Sequence, residues 1–477
     1  MLTRSAAATL SEQLAERFAE RIRDRLLAPG ARLPSVRQCA AQQQVSPSTV
    51  VAAYDRLLAR GLIEARRQRG FFVRDAGRDG AALRSAETGS DGTGQPPERP
   101  GPARVPVDAA ALIRSMFQGS GERPQPGMGV LPSDWLAADF LSTAVRRVSS
   151  ARELQSFSLQ YGEPAGDASL REALSRKLAR LDVHAAPQQI VTTVGATHAL
   201  DLVSRTLLKP GDPVLVEEPG WAVEFARLDA LGMRILPVPR GADGPDLAVM
   251  AQYCAAHRPR LFVSVSVLHN PTGYCLSPGA AHRLLQLAGA HDFRIVEDDT
   301  YSHFAPEHAT RLSALDGLQR TIYVGGFAKI LAPNWRVGFL AAPAALIEPL
   351  QDTKLLSTLT TPALLERALA WCIAQGQLRR HAERIRDRLD QARARSVRLA
   401  LSAGCSFAAE PAGLFGWVET GVDTDALAQR MLDEGYLLAP GSLFHARRRP
   451  STLMRINFAA TQDAAFWKAL ARLRERG

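Results

Sequence analysis

Lys329 sits in the stretch Gly-Gly-Phe-Ala-Lys-Ile-Leu-Ala-Pro-Asn-Trp-Arg, where glycine and apolar neighbours would take its amine out of water. A lysine buried in this way sheds its proton easily and can hold a carbonyl cofactor as an imine. Arg336, seven residues later, carries a planar fork suited to a phosphate. The pair alone is weak, since a lysine in a glycine-rich stretch is more often a solvated charge. Support comes from Asn270, in His-Asn-Pro-Thr-Gly, and from Asp298 and Tyr301, in Ile-Val-Glu-Asp-Asp-Thr-Tyr. Each follows an apolar run that reads as a buried strand, and ligand-contacting residues of open α/β sheets gather at such strand ends.

Each position has a chemical reason. A carboxylate beside a pyridine nitrogen keeps the ring protonated and able to accept electrons, a task that suits Asp298. Asn270 and Tyr301 can hydrogen-bond a phenolic ring oxygen and so tune the acidity of the imine. Upstream, Val-Gly-Ala-Thr-His-Ala-Leu opens a helix after a strand, which aims the backbone N–H groups of Gly195, Ala196 and Thr197 at a phosphate. Trp221 offers a flat face on which a cofactor ring can stack. Each also has an ordinary structural explanation: Asp298 as a helix cap, Trp221 as a core aromatic, residues 195–197 as a strand-to-helix turn. Their occurrence together and in order favours a site for pyridoxal 5'-phosphate.

Over roughly residues 125–477 these motifs resemble the fold-type I aminotransferases. The resemblance implies Lys329 as the internal aldimine, Asp298 at the pyridine nitrogen, Asn270 and Tyr301 at the phenolic oxygen, and Arg336 with the 195–197 loop on the phosphate. Tyr161, in Tyr-Gly-Glu-Pro-Ala-Gly, is similar to the tyrosine that reaches the phosphate of the neighbouring subunit. Arg455, in Met-Arg-Ile-Asn-Phe, resembles the arginine that binds a substrate carboxylate, with Asn270 beside it. Gly326 departs from the pattern, standing where many members have a phosphate-binding serine. Loss of that hydroxyl is expected to weaken cofactor binding without abolishing it.

The elements needed to position these groups are legible too. Runs such as Pro-Val-Leu-Val-Glu-Glu, Leu-Phe-Val-Ser-Val-Ser-Val and Phe-Arg-Ile-Val-Glu-Asp alternate with helical patterns, the signature of an α/β body with a mainly parallel sheet. That body is expected over residues 108–477, with a smaller subdomain from about 345 built of long Arg-rich helices and short strands. Residues 75–107, rich in Gly, Pro, Ser, Asp and Arg, read as a flexible linker.

The first seventy-four residues read as a separate domain. Leu10, Leu14, Phe18, Ile22 and Leu26 mark an amphipathic helix; a second is expected over about Ser35 to Gln43. A third begins at Ser46 as N-cap, with Pro47 at the first helical position, and Gly61 ends it. Two apolar strands then flank Arg66, Arg67, Gln68, Arg69 and Gly70, a hairpin with a cationic tip. Residues 1–75 hold 13 Arg and no Lys against 7 acidic side chains, a net of +6 out of +10 for the chain. That concentration suggests salt-sensitive phosphate contacts with DNA.

The order Leu-Pro-Ser-Val-Arg, Val-Ser-Pro-Ser-Thr-Val, Ala-Tyr-Asp-Arg-Leu over about residues 8–74 resembles the GntR-type winged helix-turn-helix. The resemblance implies that Arg37 and the start of the third helix face DNA, with Ser46, Ser48 and Thr49 approaching the major groove. It places Arg66, Arg67, Arg69 and Gly70 near the minor groove or backbone. Pro47 departs from it, since many relatives have an arginine there.

A head of this type on an aminotransferase-like body resembles the MocR group of bacterial transcription regulators. The combination implies a homodimer on a double-stranded operator, with the cofactor or an amino-acid-like amine as signal through aldimine formation. A working aminotransferase with a secondary DNA-binding head is the alternative. Five cysteines without a Cys-x-x-Cys pair speak against a disulfide framework or zinc site, and ten scattered histidines suggest no metal. No signal peptide or membrane span is recognisable, so the cytoplasm is the expected location.

Overall fold

The computed structural model describes residues 9–23, 27, 32–66, 70–74, 125–136 and 138–475. The chain divides into two compact units, Met1–Ser120 and Gly121–Gly477. The expected linker at 75–107, the helix end near Leu26 and the tip residues Arg67 and Arg69 lie outside the described residues.

In the first unit, α1 (Leu10–Arg23) buries Leu14, Ala15, Phe18 and Ala19, the stripe that the four-residue spacing of leucines and Phe18 demands. Helix α2 (Val36–Gln43) starts at Ser35, whose hydroxyl accepts from Gln38 N while the Gln38 side chain returns to the Ser35 backbone, a reciprocal cap. Helix α3 (Pro47–Ala59) starts at Ser46 with Pro47 in the first turn, and Gly61 follows at φ +66°. Strands β1 (Ile63–Arg66) and β2 (Gly70–Val73) pair antiparallel. Tyr54 ties these parts together. Its ring meets Phe18 at 5.7 Å and Phe71 at 5.0 Å, both edge-on, and its hydroxyl donates to the Pro34 carbonyl at 2.9 Å.

The second unit is built on a seven-stranded sheet in the order β3-β9-β8-β7-β6-β4-β5. Its strands are β3 (Ile190–Thr193), β4 (Pro213–Glu218), β5 (Arg234–Pro239), β6 (Leu261–Ser264), β7 (Arg294–Asp298), β8 (Thr321–Gly326) and β9 (Gly338–Ala341). Strands β5, β4, β6, β7 and β8 run parallel, and β9 runs against both β8 and β3. Alternate residues of β4 fill different cores: Val214 and Val216 join one cluster, Leu215 another. That is the period-two pattern of a strand covered on both faces, and it explains why the strands read as continuous apolar runs.

Beyond β9 come the helices Ala344–Thr358, Ala363–Ala374 and Gln377–Ser402. A second, antiparallel sheet follows, β10 (Ser406–Phe407), β11 (Phe415–Glu419), β13 (Leu453–Asn457) and β12 (Ala439–Pro440), in that spatial order. Among the described residues no helix is long and apolar enough to cross a membrane, and no cluster of side chains has the make-up of a metal site.

Candidate functional site

The carboxyl ends of the strands deliver the chemistry-bearing residues to one place. Strand β3 leads into Gly195, β4 into Trp221, β6 into Asn270, β7 into Asp298 and Tyr301, and β8 into Gly326 and then Lys329. Arg455 comes from β13 of the small sheet. The structure thus brings together Lys329, Asp298, Tyr301, Asn270, Trp221, Arg336, Arg455 and the 195–197 loop.

Lys329 donates from Nζ to the Gly129 carbonyl at 2.7 Å. Burial, with the Arg455 cation nearby, pulls its ammonium down to about 8, against an opposing pull from Asp298. Asp298 is pushed the other way, up to about 6, because burial outweighs the hydrogen bonds from the Thr300 hydroxyl and N–H. Tyr301 is also raised by burial and accepts from Asn270 Nδ2 at 3.2 Å. These are groups held away from their comfortable charge states, as expected where a further charged partner is to be accommodated.

Arg455 is 1% exposed. Its Nη1 donates to Asn270 Oδ1 at 3.0 Å and its Nη2 to the Gly127 carbonyl at 2.6 Å, while Nε is buried without a partner. Aromatic rings wall it in: its guanidinium carbon lies 4.4 Å from the Phe415 centroid, 5.2 Å from Phe444 and 5.5 Å from Trp221. Burial lowers its pKa to about 10. An incompletely satisfied guanidinium in an aromatic cage is a strong donor to a carboxylate.

Helix Ala196–Leu207 begins at Gly195, φ +82°, so its first-turn N–H groups lack intrahelical acceptors. Arg336, itself in the left-handed region at φ +50°, donates from Nη2 to the Val194 carbonyl at 3.2 Å. A Cβ on Gly338 would come within 2.5 Å of the Gly195 backbone, so β9 must carry a glycine for the loop to lie against it. Gly326 borders the same loop, and a Cβ there would sit 3.4 Å from Ala196 Cβ. A Cβ there meets only ordinary van der Waals contact, so crowding at that atom does not demand the glycine.

Three residues escaped the sequence reading: Gly129, Phe415 and Asn457. Asn457 Nδ2 donates to the carbonyls of Met128 at 3.0 Å and Val130 at 2.6 Å, and its backbone N–H donates to Pro126 at 2.9 Å. Together with Arg455 it straps residues 126–130 across the amine of Lys329. The Gly-Met-Gly spacing was the available signal, because a Cβ on Gly127 would strike Leu438 at 2.5 Å and one on Gly129 would stand 3.6 Å from Lys329 Nζ.

Tyr161 is 84% exposed and meets none of this cluster within the chain. In the head, Arg37, Ser46 and Ser48 are exposed and Thr49 half-buried at the start of α3. Ser46 is committed to capping, its hydroxyl 2.8 Å from the hydroxyls of both Ser48 and Thr49. Arg66 pairs with Glu64 at 2.6 Å and lies 4.5 Å from the Phe72 ring centroid, and Gly70 is exposed at φ +100°.

Comparison with known proteins agrees with both halves. Residues 135–473 match the family described as aminotransferase class I and II, and residues 10–73 match bacterial regulatory proteins, gntR family. An uncharacterized HTH-type transcriptional regulator of Bacillus subtilis, YisV, is 27% identical over 97% of this chain and 95% of its own. The probable rhizopine catabolism regulatory protein MocR of Rhizobium meliloti is 30% identical over 81% of this chain and 76% of its own. Among solved structures, the α-aminoadipate aminotransferase LysN of Thermus thermophilus, complexed with N-(5'-phosphopyridoxyl)-L-leucine, is 27% identical with a TM-score of 0.69, covering 76% of this chain and 94% of its own. With a gntR-family head and a fold-type I body in one polypeptide, the chain belongs to the aminotransferase class I and II family, in the branch formed by MocR-type transcription regulators.

Proposed function

We propose that this protein is a pyridoxal 5'-phosphate-dependent, DNA-binding transcription regulator whose body senses the cofactor or an amine that reacts at it. The observation that carries the reading is one chain holding both a winged-helix head and a pocket in which a lysine near neutrality, a buried carboxylate and a caged arginine converge.

The residues fit that cofactor. A cradle that a Cβ at 195 would fill lies between the helix start and Arg336, and Arg455, its Nε orphaned, lies among the aromatic rings. When bound, pyridoxal 5'-phosphate supplies an electrophilic carbonyl carbon and an electron-accepting ring. Lys329 would hold the carbonyl carbon and Asp298 would keep the ring nitrogen protonated. Asn270 and Tyr301 would bind the phenolic oxygen, and Trp221 would cover the ring. Gly195, Ala196, Thr197 and Arg336 would bind the phosphate. Arg455, helped by Asn270, would bind a carboxylate of the incoming amine.

A Lys329 amine left free by an incoming amine would take up a proton at neutral pH and place a positive charge in a buried site. An amine can move the head only through its differential affinity for two states of the protein. A homodimer is part of the reading: Leu159, Tyr161, Leu356 and Leu359 are 78%, 84%, 92% and 50% exposed, an apolar surface that a second copy would cover. Tyr161 would then reach the partner's phosphate. An operator of paired half-sites and a cytoplasmic location follow from the same reading.

The test is to mix holoprotein with a panel of amino acids, following visible absorption, keto acid release and operator binding together. A stable spectral change that alters DNA affinity without keto acid is expected. Sustained keto acid production with DNA affinity unaltered would replace this reading with that of an aminotransferase.

A further inference from the structure

A cavity of about 410 Å³ opens between the helix Ala168–Ala179, the turn after Tyr301 and the helix Gln377–Ser402. None of the cofactor-site residues lines it. Arg176, Lys177, Arg180, Arg379 and Arg386 do, against a single carboxylate, Glu307. Such a one-signed concentration in a concave site repels itself and focuses its field on whatever enters.

Much of this charge is unspent. Arg176 stands 4.0 Å from Glu172 and Arg379 2.9 Å from Glu383, both in exposed pairs of little strength. Arg386 donates to the Ala305 carbonyl at 3.3 Å. Among the described residues Lys177 and Arg180 have no ion-pair partner. Burial pulls the Lys177 ammonium down to about 8 despite Asp299 nearby, so an added anion would relieve it.

The floor of the cavity connects to the cofactor site through the chain and through a ring contact. Ser302 and His303 line it, and they form the short turn that directly follows Tyr301. The His303 ring centroid lies 5.6 Å from that of Phe327, two residues before Lys329. A ligand here would touch the turn that follows Tyr301, whose His303 packs beside the segment that leads to Lys329.

We propose that this cavity is a second ligand site, for a phosphorylated small metabolite. Its volume is that of a small-molecule pocket, and forked guanidinium groups around a compact ammonium suit phosphate oxygens.

The experiment is calorimetric titration of holoprotein with pyrophosphate at fixed moderate salt and without divalent metal, the cofactor phosphate site being already filled. Binding is expected to weaken at least tenfold in the Lys177→Gln/Arg180→Gln double variant and to tighten in Glu307→Gln. Pyrophosphate should also shift the visible absorption of the bound cofactor in the parent protein. Unchanged affinity in the double variant would overturn the proposal. If that variant does not fold, Glu307→Gln decides: tighter binding supports the site and unchanged binding overturns it. Citrate binding more tightly than pyrophosphate would overturn the assignment to phosphate.

Discussion

Gly195 and Arg336 share one space: a Cβ on Gly195 would lie 2.6 Å from Arg336 Nη2. The clash falls on the end of a flexible side chain, so Gly195→Ala would be accommodated by pushing the guanidinium off the Val194 carbonyl. The φ of +82° adds backbone strain. Apo-protein titrated with pyridoxal 5'-phosphate should therefore show affinity reduced by about tenfold or more, for roughly 1.4 kcal/mol or more lost at the clamp. Affinity equal to that of the parent would mean that Arg336 does not hold the phosphate.

Capture of the cofactor should follow the protonation of Lys329. The neutral amine is the nucleophile, and the amine becomes neutral above its folded pKa of about 8 instead of the usual 10.5. The rate at which apo-protein takes up pyridoxal 5'-phosphate is expected to rise through pH 8 and to level off near pH 9. A rate still climbing steeply at pH 10 would contradict the burial assigned to this amine.

Lys329→Ala removes the group that an amine must displace. The variant should lose any amine-dependent change in operator affinity while keeping operator binding itself, as read by fluorescence anisotropy with and without ligand. Undiminished response to amine would be incompatible with the proposed signal.

Arg455→Lys keeps a positive charge but loses the fork that holds Asn270 and Gly127. One charge-assisted interaction contributes roughly 1.5–3 kcal/mol, so a carboxylate-bearing ligand should bind about ten- to a hundredfold more weakly. The corresponding decarboxylated amine should bind nearly as before. Equal losses for both would assign Arg455 a structural role.

In the head, Arg37 is exposed on α2. Arg37→Ala should weaken operator binding and reduce the slope of log affinity against log salt by about 0.9, the value for one phosphate contact. An unchanged slope with lower affinity would instead indicate a base contact.

Most of this site was legible because its residues follow strands directly. Asn270, Asp298 and Lys329 each trail an apolar run that is buried on both faces, so the end of the run locates the side chain. In the head the same held for Ser46, whose cap announces α3. What could not be read were long-range closures. Nothing near Arg455 in sequence predicts Gly127, which lies 328 residues away, or the ring of Phe415 from the neighbouring strand β11. Backbone carbonyls such as that of Gly129 carry no side-chain signal at all. The basic cavity was equally hidden, because its cations come from two helices about two hundred residues apart.

The strap at residues 126–130 is held at six points, and they differ in kind. Four are hydrogen bonds made by groups that ligand exchange leaves alone: three from Asn457 of the small sheet, and one from the Gly127 N–H to the Leu437 carbonyl at 2.8 Å. The other two come from Arg455 to the Gly127 carbonyl and from the Lys329 amine to the Gly129 carbonyl, and both donors are the groups that a bound amine would engage or release. Residues 126–130 therefore form a clasp with four permanent fastenings and two that reagents can undo.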